Sequence, residues 1–353
     1  MEKVREYLAS KDIVFSADRY LIDAMGAMAK GLFASLLIGT ILSTAGTQLH
    51  LGFLSDIGAY ASGAAGAAMA ASIAFALHAP QLVLFTMVGV GAAANKLGGA
   101  GGPLAVYIIA IIATECGKLV SGETKIDILV TPAVTLIVGA GLSMLWAPAI
   151  GAAASSLGSI IMWATEQQPF VMGMIVAVIT GIALTLPISS AAICAALSLT
   201  GLAGGAAVAG CCAQMIGFAV MSFRENGVGG LVSQGIGTSM LQMPNIVKNP
   251  KIWIPPTLAS AITGPLATCL FKLEMNGAAV SSGMGTCGFV GQIGVYTGWV
   301  NDVASGAKAA ITGMDWVGMV LICFVLPAVL SWVFCEVLRK KGWIKENDLR
   351  LDL

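Results

Sequence analysis

Apolar runs follow one another almost without interruption from residue 22 to residue 338, and only one kind of solvent suits such a chain. The runs lie near 22–47, 57–78, 80–95, 103–120, 126–148, 169–187, 188–222, 252–272 and 315–338. Most approach the roughly 20 residues that carry a helix across a bilayer core of about 30 Å. Charged residues make up 10% of the chain, against roughly 25% in soluble domains. In lipid every backbone polar group needs an internal partner, which leaves helices and closed barrels. Runs this long favour helices. The pattern predicts an all-α polytopic membrane protein of about ten transmembrane helices, with re-entrant hairpins where Gly and Ser shorten a run.

The two ends differ from the middle. Residues 1–20 set Val4, Tyr7, Leu8, Ile13, Val14 and Phe15 among Lys3, Arg5, Lys11 and Arg19. This suits an interfacial amphipathic helix with its basic face toward anionic lipid. The tail over 339–353 carries Arg339, Lys340, Lys341, Lys345 and Arg350, so the two arms hold nine of the 18 Lys and Arg residues. The positive-inside tendency then predicts both termini on the cytoplasmic side and an even number of crossings. The charged opening Met-Glu-Lys-Val-Arg-Glu does not suit a secretory signal. Zero formal net charge argues against a nucleic-acid partner. Two histidines cannot make a metal site alone, and the eight cysteines, with no CxxC, read as small buried hydrophobes.

Between the arms the chain repeats itself. Lys96-Leu97-Gly98-Gly99-Ala100-Gly101-Gly102 aligns with Arg224-Glu225-Asn226-Gly227-Val228-Gly229-Gly230. Gly151 to Ser156 aligns with Gly277 to Ser282, and the Gly31/Gly39 pair with Gly173/Gly181. This divides the chain into a first membrane repeat over 21–165, a second over 166–300 and a final transmembrane helix over 301–338. Repeated halves that hold a solute between them are a common plan for secondary transporters. Basic loops at Lys118/Lys125 and Lys248/Lys251 favour parallel halves, an odd number of spans per half favours inverted ones, and both remain open.

Hydrogen-bonding side chains are rare enough in this background to single out. Glu166, Gln167 and Gln168, before Pro169, offer a carboxylate and two carboxamides that can meet several hydroxyls at once. Arg224, Glu225 and Asn226 precede Gly227, either as an interfacial turn with a local ion pair or as a charged hairpin tip. Gln234, Thr238, Ser239, Gln242 and Asn245 recur at spacings of three and four, which on a helix is one polar stripe. Polar groups set among aliphatic neighbours in a membrane usually line a solute path, so these eleven residues form the expected substrate site. Ser189, Ser190, Ser281, Ser282, Thr286 and Gln292 are weaker candidates, because hydroxyls often bond their own helix. Glu115, Glu274 and His78 read as interfacial.

Several chemistries are missing from the sequence. There is no Gly-Lys-Ser/Thr phosphate loop for ATP, and no soluble domain of about 100 residues to hold a phosphorylated side chain. No catalytic residue, metal or cofactor is expected, and phosphoryl transfer would fall to a partner.

Thr165-Glu166-Gln167-Gln168-Pro169-Phe170, Leu184-Thr185-Leu186-Pro187-Ile188-Ser189-Ser190, Arg224-Glu225-Asn226, Gly237 to Asn245 and Gly283-Met284-Gly285-Thr286 resemble the membrane (IIC) subunit of bacterial phosphotransferase-system sugar transporters. The nearest branch is the one that includes perfringolysin-regulator-like proteins, and the similarity covers about residues 10–340. The resemblance implies a homodimeric permease in the bacterial cytoplasmic membrane that presents a sugar to separate IIA and IIB phosphocarrier proteins. It also implies an acidic residue in a Thr-Glu-Pro-like motif near the sugar. Thr165-Glu166 matches that motif except that two glutamines separate Glu166 from Pro169. The alternatives are an uncoupled carrier or channel for another small polar or anionic solute, with Arg224 important, and a ligand-sensing membrane regulator.

Overall fold

The computed structural model describes residues 2–351. Met1, Asp352 and Leu353 at the two ends lie outside the described residues, as do the side chains of Lys3 and Val4 in the amphipathic pattern. The described chain is built of helices joined by turns and irregular segments; its one strand-like contact is an isolated antiparallel bridge between Gly201 and Met275. It is an all-α polytopic membrane protein. Five helical stretches are long and apolar enough to span a bilayer, and a sixth forms if a bent pair counts as one span. The chain divides into two units, Met1–Ala154 and Ser155–Leu353.

In the first unit a short helix, α1 (Glu2–Ser10), precedes α2 (Asp18–Gln48). The chain then runs through α3 (Gly52–Gly63) and α4 (Ala65–Ala76), bent by 48° where they meet. Next come α5 (Gln81–Gly98) and α6 (Gly102–Val120). The apolar run from 81 to 120 is one span by composition, but Gly99 takes φ +51° and the chain doubles back. Gly98 then faces Ala105 and Gly117 faces Val83, so α5 and α6 are antiparallel. Each is 18 or 19 residues long, about 27 Å at 1.5 Å per residue. The stretch thus supplies two antiparallel helices.

The N-terminal segment is pinned to protein. Tyr7 donates its hydroxyl proton to the Leu119 carbonyl (2.6 Å), and Lys11 donates to Ser121 O (2.6 Å) and pairs with Glu123. Arg19 grips Asp12 in a fork (2.6 and 3.1 Å) and also donates to Leu77 O. Lys118, 2% exposed, donates to Asp12 O (2.7 Å) and Leu77 O (2.9 Å) and lies 3.3 Å from the buried Glu115 carboxylate. Glu115 is therefore part of a buried ion cluster, which differs from the interfacial expectation, and two cations of the expected lipid-facing set, Lys11 and Arg19, are engaged by protein groups. A buried ammonium is tolerated only when paired and hydrogen-bonded in this way.

In the second unit the rest of α7 (Asp127–Thr165) leads into α8 (Pro169–Thr185), α9 (Ser190–Ala196) and α10 (Gly201–Met221). A broken region over 222–253 follows, then α13 (Ile254–Pro265), α14 (Val290–Ala304) and α15 (Gly313–Lys340). Between 222 and 253 lie α11 (Phe223–Val232) and α12 (Met243–Lys248). Small residues set the packing. Gly173 and Gly264 meet face to face, and a Cβ on Gly264 would stand 2.1 Å from Gly173 O. Such contacts let backbones approach closely where lipid supplies no hydrophobic drive. Gly181 lies against Gly210, and Thr185 bonds Gln214, so α8 and α10 are parallel. Gly217 faces Ser331 and Arg339 donates to Met221 O (3.4 Å), so α15 ends beside the end of α10.

Candidate functional site

The polar residues of 222–249 gather where α8, α10 and α15 end. Gly227, with φ +57° and ψ −152°, breaks α11, a conformation open to little besides glycine. Gly99, aligned with it in the first half, also has positive φ. Beyond the break, residues 233–237 form a widened π turn, Thr238 is extended, and 239–242 tighten into a 3₁₀ turn. Thr238 caps that turn by accepting from Met240 N, and Pro244 starts α12. The expected single-helix stripe is therefore broken into four conformations, because Gly235, Gly237 and the Thr238 cap interrupt the helix.

The side chains still converge. Gln234 donates to Ser222 Oγ and Gly230 O (both 2.9 Å), Gln242 donates to Gln234 Oε1 (2.8 Å), and Asn245 donates to Gln242 Oε1 (2.8 Å). Gln234 and Gln242 are fully buried, and Asn245 is nearly so. The result is a row of amides, each polarising the next, in a low-dielectric setting that strengthens such bonds. Ser239 shares a hydrogen bond with Thr185 (2.8 Å) and so joins the row's neighbourhood to a second buried network. That network centres on Gln214, whose Oε1 accepts from Trp253 Nε1 (3.0 Å) and from Thr185 (3.3 Å), while its amide donates to Thr257. Sequence reasoning missed Gln214, a lone carboxamide inside a 21-residue apolar helix. Its isolation was the signal, since a buried amide needs partners from other helices.

Arg224, Glu225 and Asn226 start α11 at the same end. Arg224 is largely exposed and pairs with Glu336 (2.9 Å), whereas the side chain of Glu225 is only 6% exposed and pairs with Arg339 (2.5 Å). These two neighbours are thus tied separately to α15 rather than to each other. One Glu225 oxygen and the Arg339 Nε remain without partners. Glu225 and Arg339 line a cavity of about 800 Å³ together with Arg224, Lys345, Glu346 and Arg350. Four cations against two carboxylates make this cavity suited to an anionic group.

Asn226 instead faces the chain's own tail. It donates to Leu349 O and accepts from Leu351 N (both 2.8 Å). Gln242 also donates to Leu349 O (3.0 Å), and Asn245 to Arg350 O (2.8 Å).

Glu166, Gln167 and Gln168 lie elsewhere. They form the turn between α7 and α8, with Glu166 and Gln168 exposed and the Gln167 amide donating back to Trp163 O (3.2 Å). This turn opens α8, while Thr185, bonded to Ser239, closes it. Seventeen residues of helix separate the two, about 25 Å. A sugar cannot touch Glu166 and the amide row at once in this conformation.

Among the described residues no group of three or more His, Cys, Asp and Glu side chains could hold a metal ion. A family model described as phosphotransferase system, EIIC, matches residues 22–351. No curated protein and no solved structure matches the chain.

Proposed function

The chain belongs to the phosphotransferase-system EIIC family, and from that premise we propose that it is a sugar-translocating permease. It works by alternating access in the bacterial cytoplasmic membrane as a homodimer, with both termini in the cytoplasm. The observation that carries this reading is the buried row Gln234–Gln242–Asn245, held at the end of α8 and α10 by broken rather than continuous helix. Carboxamides offer both donors and acceptors and carry no charge, which matches the hydroxyls of a neutral polyol. Irregular backbone at such a place is tolerated only where protein or water satisfies it. Thr238, Ser239 and the Gln214 network extend the same lining. Glu166, Gln167 and Gln168 serve the opposite end of α8, where they meet solute in the other half of the transport cycle. Separate IIA and IIB phosphocarrier proteins supply phosphate.

Uptake of radiolabelled sugars into proteoliposomes, with and without phosphorylated partner proteins, tests the reading. Gln242→Leu is expected to cut uptake by more than about tenfold, and Glu166→Gln to slow turnover more than binding. Unchanged uptake in both variants would remove these residues from the path. A second reading, a carrier for an anionic solute, draws on the basic cavity at Arg224 and Arg339. It predicts that uptake needs no phosphorylated partner and falls in Arg224→Gln.

A further inference from the structure

The last described residues of the chain bind its amide row as a peptide would. Residues 343–351 have no helix or strand, yet Ile344 and Leu349 are buried to 2% and 0% exposure while Lys345, Glu346 and Asn347 between them face outward. Two aliphatic anchors with an exposed polar stretch between them are the pattern of a docked linear segment rather than of a fold element.

The segment is held by its main chain. Five bonds join its backbone to side-chain carboxamides: Asn226 and Gln242 to Leu349 O, Asn245 to Arg350 O, Asn249 to Trp343 O, and Leu351 N to Asn226 Oδ1. Asn249 also donates to Asp348 (2.7 Å), and Lys251 stands 5.2 Å over the Trp343 ring. The tail also forms part of the wall of the basic cavity.

An amide nitrogen has two protons. Gln242 directs one to Gln234 and one to Leu349 O, and Asn245 directs one to Gln242 and one to Arg350 O. No proton on either amide is left for a solute while the tail is docked.

We propose that residues 343–351 are a latch, an intramolecular peptide ligand that covers the amide row and must leave before anything else can reach it. This rests on the row being the solute site proposed above. A segment without regular structure, joined to the bundle by side-chain bonds and two anchors, can open locally while the helices stay packed. The latch therefore adds an equilibrium between closed and open rows on top of the transport cycle.

Access can be measured without knowing the solute. Asn245→Cys, which gives up one of the five bonds, is reacted with a polar maleimide and followed by mass spectrometry at that site. It is compared in the full chain, in a chain ending at Gly342, and in a full-length Leu349→Asp variant that loses an anchor but keeps the chain intact. Labelling is expected to be about tenfold or more faster in both released forms. A synthetic peptide of residues 342–353 added to the shortened protein is expected to slow it again. Equal labelling in the full-length and Leu349→Asp proteins, or a peptide without effect, overturns the latch. Gated labelling in a protein that takes up no sugar in any form upholds the latch and defeats the permease reading alone.

Discussion

Lys118 shows at the scale of one residue what a charge needs to stay buried here. Its ammonium has two carbonyls and the Glu115 carboxylate around it, and Tyr20 donates to the other Glu115 oxygen (3.1 Å). Lys118→Met removes one partner and leaves Glu115 buried without its counter-charge. Loss of one member of such a pair costs about 3–5 kcal/mol, so thermal inactivation in detergent is expected well below that of the wild type. Replacing Glu115 by Gln in the same background should recover part of the loss. Asp12, nearby and half exposed, is held well below the usual carboxylate range by its bond to Arg19. A lowered carboxyl stabilises fully above its unfolded value near about 4 and loses this only as pH falls through the folded value. Hydrogen-exchange protection factors over residues 8–20 should therefore stay constant from neutral pH to about 5 and fall only in strong acid. Asp12→Asn should lower them throughout. Lys118 read as part of a basic loop with Lys125 but lies buried within α6, and its contact with Asp12 was hidden because the two are 106 positions apart and spacing rules see only neighbours.

At the scale of elements, most apolar runs translated into helices, and α7 continued as one helix through Pro132, Pro148 and the Gly- and Ser-rich stretch to Thr165. The runs at 80–95 and 103–120 were legible as separate segments, and they became α5 and α6 with the positive φ of Gly99 between them. The stripe from 234 to 245 was legible as a set of residues that belong together. Its conformation was not, since glycines and a Thr cap decide locally between α, π and 3₁₀ turns that carry the same polar side chains. The spacing of Glu166 from that stripe was also hidden. Both flank α8, and only the parallel packing of α8 on α10 shows that they occupy opposite ends. Packing at Gly173 and Gly264 gives a direct test. A methyl at 264 cannot fit 2.1 Å from a carbonyl oxygen, so α8 and α13 must separate. Overpacking of this kind costs about 1–3 kcal/mol. Gly264→Ala is expected to lower the inactivation temperature, whereas Gly229→Ala, with open space around it, is expected to leave it nearly unchanged.

At the scale of the whole molecule, α7 is the longest described helix and keeps apolar side chains exposed from Ile128 to Trp163. It has 39 residues, about 58 Å of helix against a hydrocarbon core of about 30 Å. Only 22% of its most apolar window is buried, and Ile128, Ile137, Met144, Leu145 and Trp163 stand exposed along it. Lipid alone can solvate such a surface over one bilayer thickness, but not over nearly twice that length. Pro132 and Pro148 allow the helix to bend, and tilt absorbs part of the excess; neither hides the remaining apolar side chains. A second copy packed along α7 would, which accords with the homodimer proposed above. Leu145→Cys in a background lacking the exposed Cys269 is therefore expected to form a disulfide between copies under mild oxidation. Light scattering in detergent should give twice the chain mass. A monomer by scattering, with no crosslink at 145 or at Ile137→Cys, would leave α7 to lipid and require each chain to translocate solute alone.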